Sequence, residues 1–177
     1  MTQIQLIISA KQKYMYSEHI MNKKLPLAGS ILFCEMVGIV GAVFTTSSIP
    51  TWYSTLNKPP FNPPSWVFGP TWTLLYALIG ISLFLVWTQP NRDAQRRKAL
   101  SIFFIQLFLN AIWSPIFFGL HAPIAALIVI VLLWLSIVLT ILTFWKISKT
   151  AATLLVPYLA WVSFASLLNF SIWQLNM

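Results

Sequence analysis

Five long apolar stretches, roughly 26–45, 65–88, 99–119, 123–145 and 151–175, alternate with short polar or proline-rich connections along the chain. A helix crosses the hydrocarbon core of a bilayer with about 20 mostly apolar residues at about 1.5 Å each, and every one of these stretches is that long. Backbone amides left unpaired in lipid are costly, so runs of this kind predict helices and not irregular chain. The pattern predicts an all-α, five-transmembrane-helix bundle over residues 25–177, preceded by a tail over residues 1–24.

The connections carry the next layer of information. Residues 46–64 hold Pro50, Pro59, Pro60, Pro63 and Pro64, whose missing N–H groups and fixed φ exclude a helix interior. Ser65 then stands where an N-cap of the second helix is expected. Only about three residues, Leu120 to Ala122, separate the third and fourth stretches, which predicts antiparallel neighbours. Lys11, Lys13, Lys23 and Lys24 lie in the tail, Arg92, Arg96, Arg97 and Lys98 in the second connection, and Lys146 and Lys149 in the fourth. Of the eleven basic residues only Lys58 falls on the opposite side. The positive-inside rule then expects a cytoplasmic N-terminus, with the proline-rich loop and the C-terminus outside. The Ile4 to Ala10 run is short and no base precedes it, so it does not read as a signal peptide. Residues 1–20 are expected to be dispensable.

Composition sharpens this picture. The chain is 58% hydrophobic and 8% charged, whereas a water-soluble domain needs about a quarter of its residues charged. The net charge of +8 sits at the ends of apolar runs and not in a patch interleaved with aromatics, so nucleic acid is not expected as a partner. Cys34 stands alone in an apolar run. His19 and His121 have no Cys, Asp or Glu at metal-ligand spacing, and no metal site is expected. Dinucleotide, ATP and covalent haem patterns are absent, as is any pair of carboxylates for acid–base work. Glu35, about ten residues into the first span, is the ionisable group to explain. It reads either as a carboxyl protonated or hydrogen-bonded to a neighbouring helix, or as one with a proton or ligand role. The nine tryptophans have two usual places in a membrane protein, the headgroup belt or an aromatic pocket.

Helical spacing sorts the interior candidates. Trp72 and Tyr76 share one stripe of the second helix, with Gly69, Thr73 and Ala77 on an adjacent small-residue stripe. Gln106, Asn110, Trp113 and Phe117 follow steps of four, three and four and share one face of the third helix. Trp161, Ala165, Leu168 and Asn169 do the same on the fifth, one turn after Pro157, which should loosen the backbone. Singly, each stripe reads as interhelical packing. Together they read as walls of a pocket for a flat, mostly apolar ligand with a few polar handles. The small stripes at Gly38 and Ala42, and at Gly69, Thr73 and Ala77, are candidate dimer faces.

Three ordered motifs carry a family resemblance. The first is Trp52-Tyr53-x-x-Leu56-x-Lys58-Pro59-x-Phe61-x-Pro63-Pro64-x-Trp66-Val67-Phe68-Gly69-Pro70-x-Trp72-Thr73-x-Leu75-Tyr76. The second is Gln106-x-x-Leu109-Asn110-x-x-Trp113-Ser114-x-x-Phe117-Phe118. The third is Pro157-Tyr158-x-Ala160-Trp161-Val162-x-Phe164-Ala165-x-x-Leu168-Asn169. From about residue 25 to the C-terminus the chain resembles the TspO/MBR family of tryptophan-rich sensory and translocator proteins, in its bacterial form.

The resemblance implies a five-helix bundle of the plasma membrane, often a homodimer and in contact with membrane lipid. Its cavity would take porphyrins and benzodiazepine-type ligands, with no obligatory cofactor. By position, the pocket residues implied are Trp72, Asn110, Trp113, Trp161, Ala165 and Leu168, with Ala42 and Phe68. The first loop, with Trp52, Lys58 and Pro64, would be its lid. A receptor or sensor in tetrapyrrole or stress regulation is the function implied. The alternatives are light-dependent porphyrin breakdown, with Trp72 and Trp161 as redox side chains, and small-molecule transport. The family's sterol motif needs a base soon after Tyr158 and none follows. A reversed pattern, Lys98, Phe103 and Leu107, opens the third helix. Ala125 stands where vertebrate members place a pocket tryptophan.

Overall fold

The computed structural model describes residues 3–90 and 93–177, with side chains from Lys24 onward in the first helix. The side chains of residues 1–20, whose dispensability the sequence suggests, therefore lie outside the described residues. Those of Lys11, Lys13, Lys23 and Arg92 in the basic set do too.

Helix α1 runs Gln3–Ser48, and its apolar part is Lys24–Ser48. The short α2 (Trp52–Thr55) lies in the proline-rich loop. A 3₁₀ turn, Ser65–Val67, leads into α3 (Phe68–Trp87). Helix α4 (Asp93–Ser114) ends in a π turn, Pro115–Gly119, and α5 covers Pro123–Trp145. The fifth span is built from α6 (Lys149–Leu154) and α7 (Val156–Leu175). Five helical segments are long and apolar enough to cross a membrane, ending at Ser48, Trp87, Gly119, Trp145 and Leu175.

The differences from the sequence reading are local and have physical causes. Ser65 makes no capping bond; Pro64 precedes the 3₁₀ turn with extended ψ, and the helix starts without a side-chain cap. Pro115 has no N–H, and its carbonyl accepts from the Leu120 N–H five residues on at 2.9 Å, which widens the last turn of the third span. Pro157 does more than loosen the fifth span: the chain ends one helix at Leu154 and starts another at Val156. That places the proline in the first turn of α7, where a missing N–H costs nothing.

In the bundle, α1 packs on α3 and α4, α4 on α5, and α5 on α6 and α7, while α3 meets α6 closely and α7 only slightly. Glycines set the closest approach. A Cβ on Gly80 would lie 2.5 Å from Ile31 Cα, so α3 touches the backbone of α1 there. Ser82 Oγ donates to the Ala151 carbonyl at 2.8 Å and ties α3 to α6. The larger core cluster, around Ile79, Leu83, Phe103, Phe144 and Tyr158, fills this half of the bundle. A second, smaller cluster of Tyr53, Phe117, Phe118, Ala126, Leu168 and Ile172 lies toward the proline-rich loop. Leu32, Met36, Ile39 and Val43 on α1 and Ile128, Leu135, Leu139 and Leu142 on α5 are exposed. A soluble protein would bury such apolar stripes; in a bilayer they are the lipid face.

Candidate functional site

Between the two clusters the bundle is hollow. A cavity of about 360 Å³ lies between α1, α3, α4 and α7, within the size range of small-molecule sites. Trp72, Asn110, Trp113 and Trp161 line it, as do Ala165 and Leu168, and so do Ala42 and Phe68. The residues singled out from three separate motifs thus face one space.

The walls are rings placed against rings. Trp72 lies on Tyr76 with centroids 5.5 Å apart, Phe68 meets the edge of Trp161 at 6.0 Å, and Trp113 stacks on Phe117 at 5.2 Å. The hollow persists because the facing positions are small. A Cβ on Gly38 would fall 2.5 Å from the Tyr76 ring, and one on Gly41 would fall 3.3 Å from Ser114 Oγ. Gly38 is therefore filled by Tyr76 of the same chain and is not free as a dimer face. Gly69 and Thr73 also turn to the cavity. They are exposed, as are Ile39, Ala42 and Thr46 across from them, so the hollow opens sideways between α1 and α3.

Polar groups are few and mostly paired. Tyr76 Oη donates to Asn110 Oδ1 at 2.5 Å, Asn110 Nδ2 donates to Tyr158 Oη at 2.7 Å, and Tyr158 Oη donates to Gln106 Oε1 at 3.0 Å. This chain crosses from α3 through α4 to α7 at the floor of the cavity. Gln106, placed by its spacing on the same face as Asn110, is buried behind Tyr158 and does not reach the hollow. Trp113 Nε1 donates to Asn169 Oδ1 at 3.3 Å, and Asn169 Nδ2 donates to the Pro123 carbonyl at 2.9 Å. Trp161 Nε1 is buried with no acceptor among the described residues. Trp134, also within a span, donates to Ser163 Oγ at 2.8 Å between α5 and α7, a packing role.

The proline-rich loop closes one end. Tyr53 lines the cavity and donates to Asn62 Oδ1 at 2.7 Å. Burial pushes its phenol up to about 12, against the lowering effect of the bond to Asn62. Trp52 stacks on His121 with centroids 4.4 Å apart and meets the edge of Phe117 at 5.6 Å. Lys58 Nζ donates to the Leu56 carbonyl at 3.1 Å and lies over the Tyr53 ring. Pro64 sets the entry to α3. Of these, Trp52, Lys58 and Pro64 hold the loop without lining the hollow, whereas Tyr53, Ser65 and Trp66 line it.

Sequence reasoning missed the loop's moorings. Asn57 N–H donates to Asn176 Oδ1 and Asn176 Nδ2 donates back to the Asn57 carbonyl, both at 2.9 Å. Ser48 Oγ donates to the Phe118 carbonyl at 2.7 Å, satisfying a group that the π turn leaves open. His121 holds the left-handed φ of 52° that turns the chain between α4 and α5 beneath Trp52. No group of three or more potential metal ligands occurs among the described residues.

A five-span membrane bundle with an aromatic-walled, ligand-sized hollow under a proline-rich loop defines the class of protein. The chain is 49% identical over 157 residues to the Tryptophan-rich protein TspO of Chlorobaculum tepidum, covering 88% of this chain and 99% of that one. It is 38% identical to the Tryptophan-rich sensory protein of Cereibacter sphaeroides over 82% of this chain and 91% of the other. It is 35% identical to the Translocator protein of Homo sapiens over 86% and 90%. The chain belongs to the TspO/MBR family, whose sequence profile matches residues 30–174. It is an integral membrane protein, and its bacterial relatives point to a plasma membrane.

Proposed function

We propose that the protein is a membrane receptor or sensor whose cavity binds a flat, mostly apolar ligand of the porphyrin type. The observation that supports this reading is the convergence of Trp72, Trp113 and Trp161 with Asn110 on one hollow. Indole faces offer stacking area for a conjugated macrocycle, worth about 0.5–1.5 kcal/mol per aromatic pair beyond burial. The unpartnered Trp161 N–H offers a donor to a ligand oxygen, since a buried donor without an acceptor is costly until one arrives. Among the described residues no histidine lines the cavity, so the ligand expected is an iron-free porphyrin held without axial ligation. A macrocycle larger than the hollow extends through the opening between α1 and α3. The basic residues gathered at one end of the spans support a cytoplasmic N-terminus, and with it a lid on the outer face.

Protoporphyrin titration, read by quenching of tryptophan emission in lipid nanodiscs, tests the site. Trp72→Phe and Trp161→Phe should each weaken binding about three- to tenfold, because a smaller ring without an N–H replaces each indole. Titrations unchanged in both variants refute the assignment.

A further inference from the structure

We propose that the cavity also takes amphiphilic amines, an aromatic body bearing an ammonium group, with Glu35 as the counter-charge at the deep end of the hollow. This rests on reading the cavity as a ligand site but adds a class of ligand that a porphyrin pocket does not require.

Glu35 is half-buried and lines the cavity from α1. It belongs to the cavity face of that helix by spacing, since Gly38, Ala42, Thr45, Thr46 and Ile49 follow it at helical intervals and line the same space. It stands about 16 Å along the helix from Lys24, at about 1.5 Å per residue, and therefore well inside the bilayer. Among the described residues it has no hydrogen bond and no ion pair; the one recorded salt bridge joins Arg96 and Asp93 at the start of α4. Among the described residues no Lys, Arg or His lines the cavity. Of the described residues that line it, Glu35 alone carries a formal charge.

Its surroundings suit a cation. Gly38, one turn on from Glu35, has no side chain, and the ring of Tyr76 occupies that place, with Trp72 against it at 5.5 Å. The negative faces of these rings attract an ammonium, most strongly where water is excluded. Tyr76 Oη is already committed to Asn110, so the phenol does not compete for the carboxyl. An unpaired charge inside a bilayer is expensive, and a mobile cation of opposite sign removes that cost in a way no described side chain does. The apolar body of the ligand would then lie along Ala42, Trp161 and Ala165 toward the lid, and the exposed gap between α1 and α3 admits it from the lipid.

The test uses 9-(aminomethyl)anthracene and its uncharged isostere 9-anthracenemethanol, titrated into the full chain in phosphatidylcholine nanodiscs. The zwitterionic lipid keeps surface charge from concentrating the amine. Energy transfer from tryptophan to anthracene reports occupancy. The wild type should bind the ammonium at least tenfold more tightly than the alcohol. Glu35→Gln and the apolar Glu35→Met should each bring that ratio to within twofold by weakening the ammonium and not by tightening the alcohol. Equal affinity for the two probes in the wild type, or a preference that survives in either variant, overturns the proposal. Protoporphyrin binding without ammonium preference leaves the porphyrin reading standing and removes this one; ammonium preference without protoporphyrin binding does the reverse.

Discussion

Asn110 joins the two tyrosines at the floor of the cavity, and its removal tests whether the polar chain holds the bundle together. In Asn110→Ala the bond from Tyr76 Oη and the bond to Tyr158 Oη are both lost. Interhelical side-chain hydrogen bonds in membranes average about 0.6 kcal/mol and reach about 1.7, so two are worth about 1–3 kcal/mol. Tyr158 keeps Gln106 as its acceptor, but the buried Tyr76 hydroxyl is left as an orphan donor, adding about 1–3 kcal/mol. The expected loss is about 2–6 kcal/mol. A protein of this size loses about 2–4 °C per kcal/mol, so thermal unfolding in nanodiscs should fall by at least about 4 °C. Tyr76→Phe loses one bond and strands only an acceptor, and should cost about 1–2 kcal/mol. Because both substitutions remove the same bond, the double variant should be less destabilised than the sum by at least about 0.5 kcal/mol. An Asn110→Ala melting point within 1 °C of wild type, or strict additivity with Tyr76→Phe, would refute the claim that this chain couples α3, α4 and α7.

Gly80→Ala should destabilise by about 1–3 kcal/mol, because its Cβ would meet α1 backbone at 2.5 Å and backbone cannot rotate aside. Gly29→Ala, with nothing within 4 Å of its Cβ, should be neutral or stabilising by up to about 1 kcal/mol through helix propensity; paired denaturation curves check the opposite signs. Asn176→Ala removes the reciprocal bonds to Asn57 and should speed ligand release about tenfold in stopped-flow measurements, with little change in the association rate. The docked lid should loosen as pH rises between 10 and about 12, since Tyr53 ionises near 10 when free and near 12 when buried. The raised value means that its contribution is whole below that window and is lost across it. Limited proteolysis of the loop against pH, compared with Tyr53→Phe, should show a difference that shrinks over this window.

Much of this molecule is legible in its sequence because lipid permits few solutions. Backbone pairing and hydrocarbon thickness fix the length of each span, so the ends at Trp87, Gly119, Trp145 and Leu175 fall within a residue of where hydropathy alone places them. Helical period likewise turns Asn110, Trp113, Trp161 and Ala165 toward a common interior. The features that escaped depend on pairings with no periodic signal. Asn57 and Asn176 are 119 residues apart and ordinary in composition. His121 matters through a stacking partner, Trp52, that lies 69 residues away in the first loop. Gly38 read as a surface for a second copy because a small-residue stripe does not say whose side chain fills it. Gln106 shares the face of Asn110, yet its one-turn displacement puts it behind Tyr158.

The hollow is the part of the fold that packing alone does not explain. Unfilled interior space costs about 24 cal/mol per Å³. At about 360 Å³ a dry, empty cavity would cost up to about 9 kcal/mol, comparable with the whole stability of about 5–15 kcal/mol of a typical domain. Larger side chains at Ala42 and Ala165 would reduce that cost, and the half of the bundle around Phe103 and Phe144 shows that this chain can pack densely, with both side chains fully buried. The hollow lies in the other half, where small residues face rings and the lateral gap meets the lipid. On the proposed reading a ligand that partitions into the bilayer offsets that cost, and the paired amides, free indole N–H and Glu35 carboxyl are the groups that would select it. The exposed indoles at Trp66, Trp87 and Trp145 suit the headgroup layer, whereas Trp72, Trp113 and Trp161 give the hollow its shape.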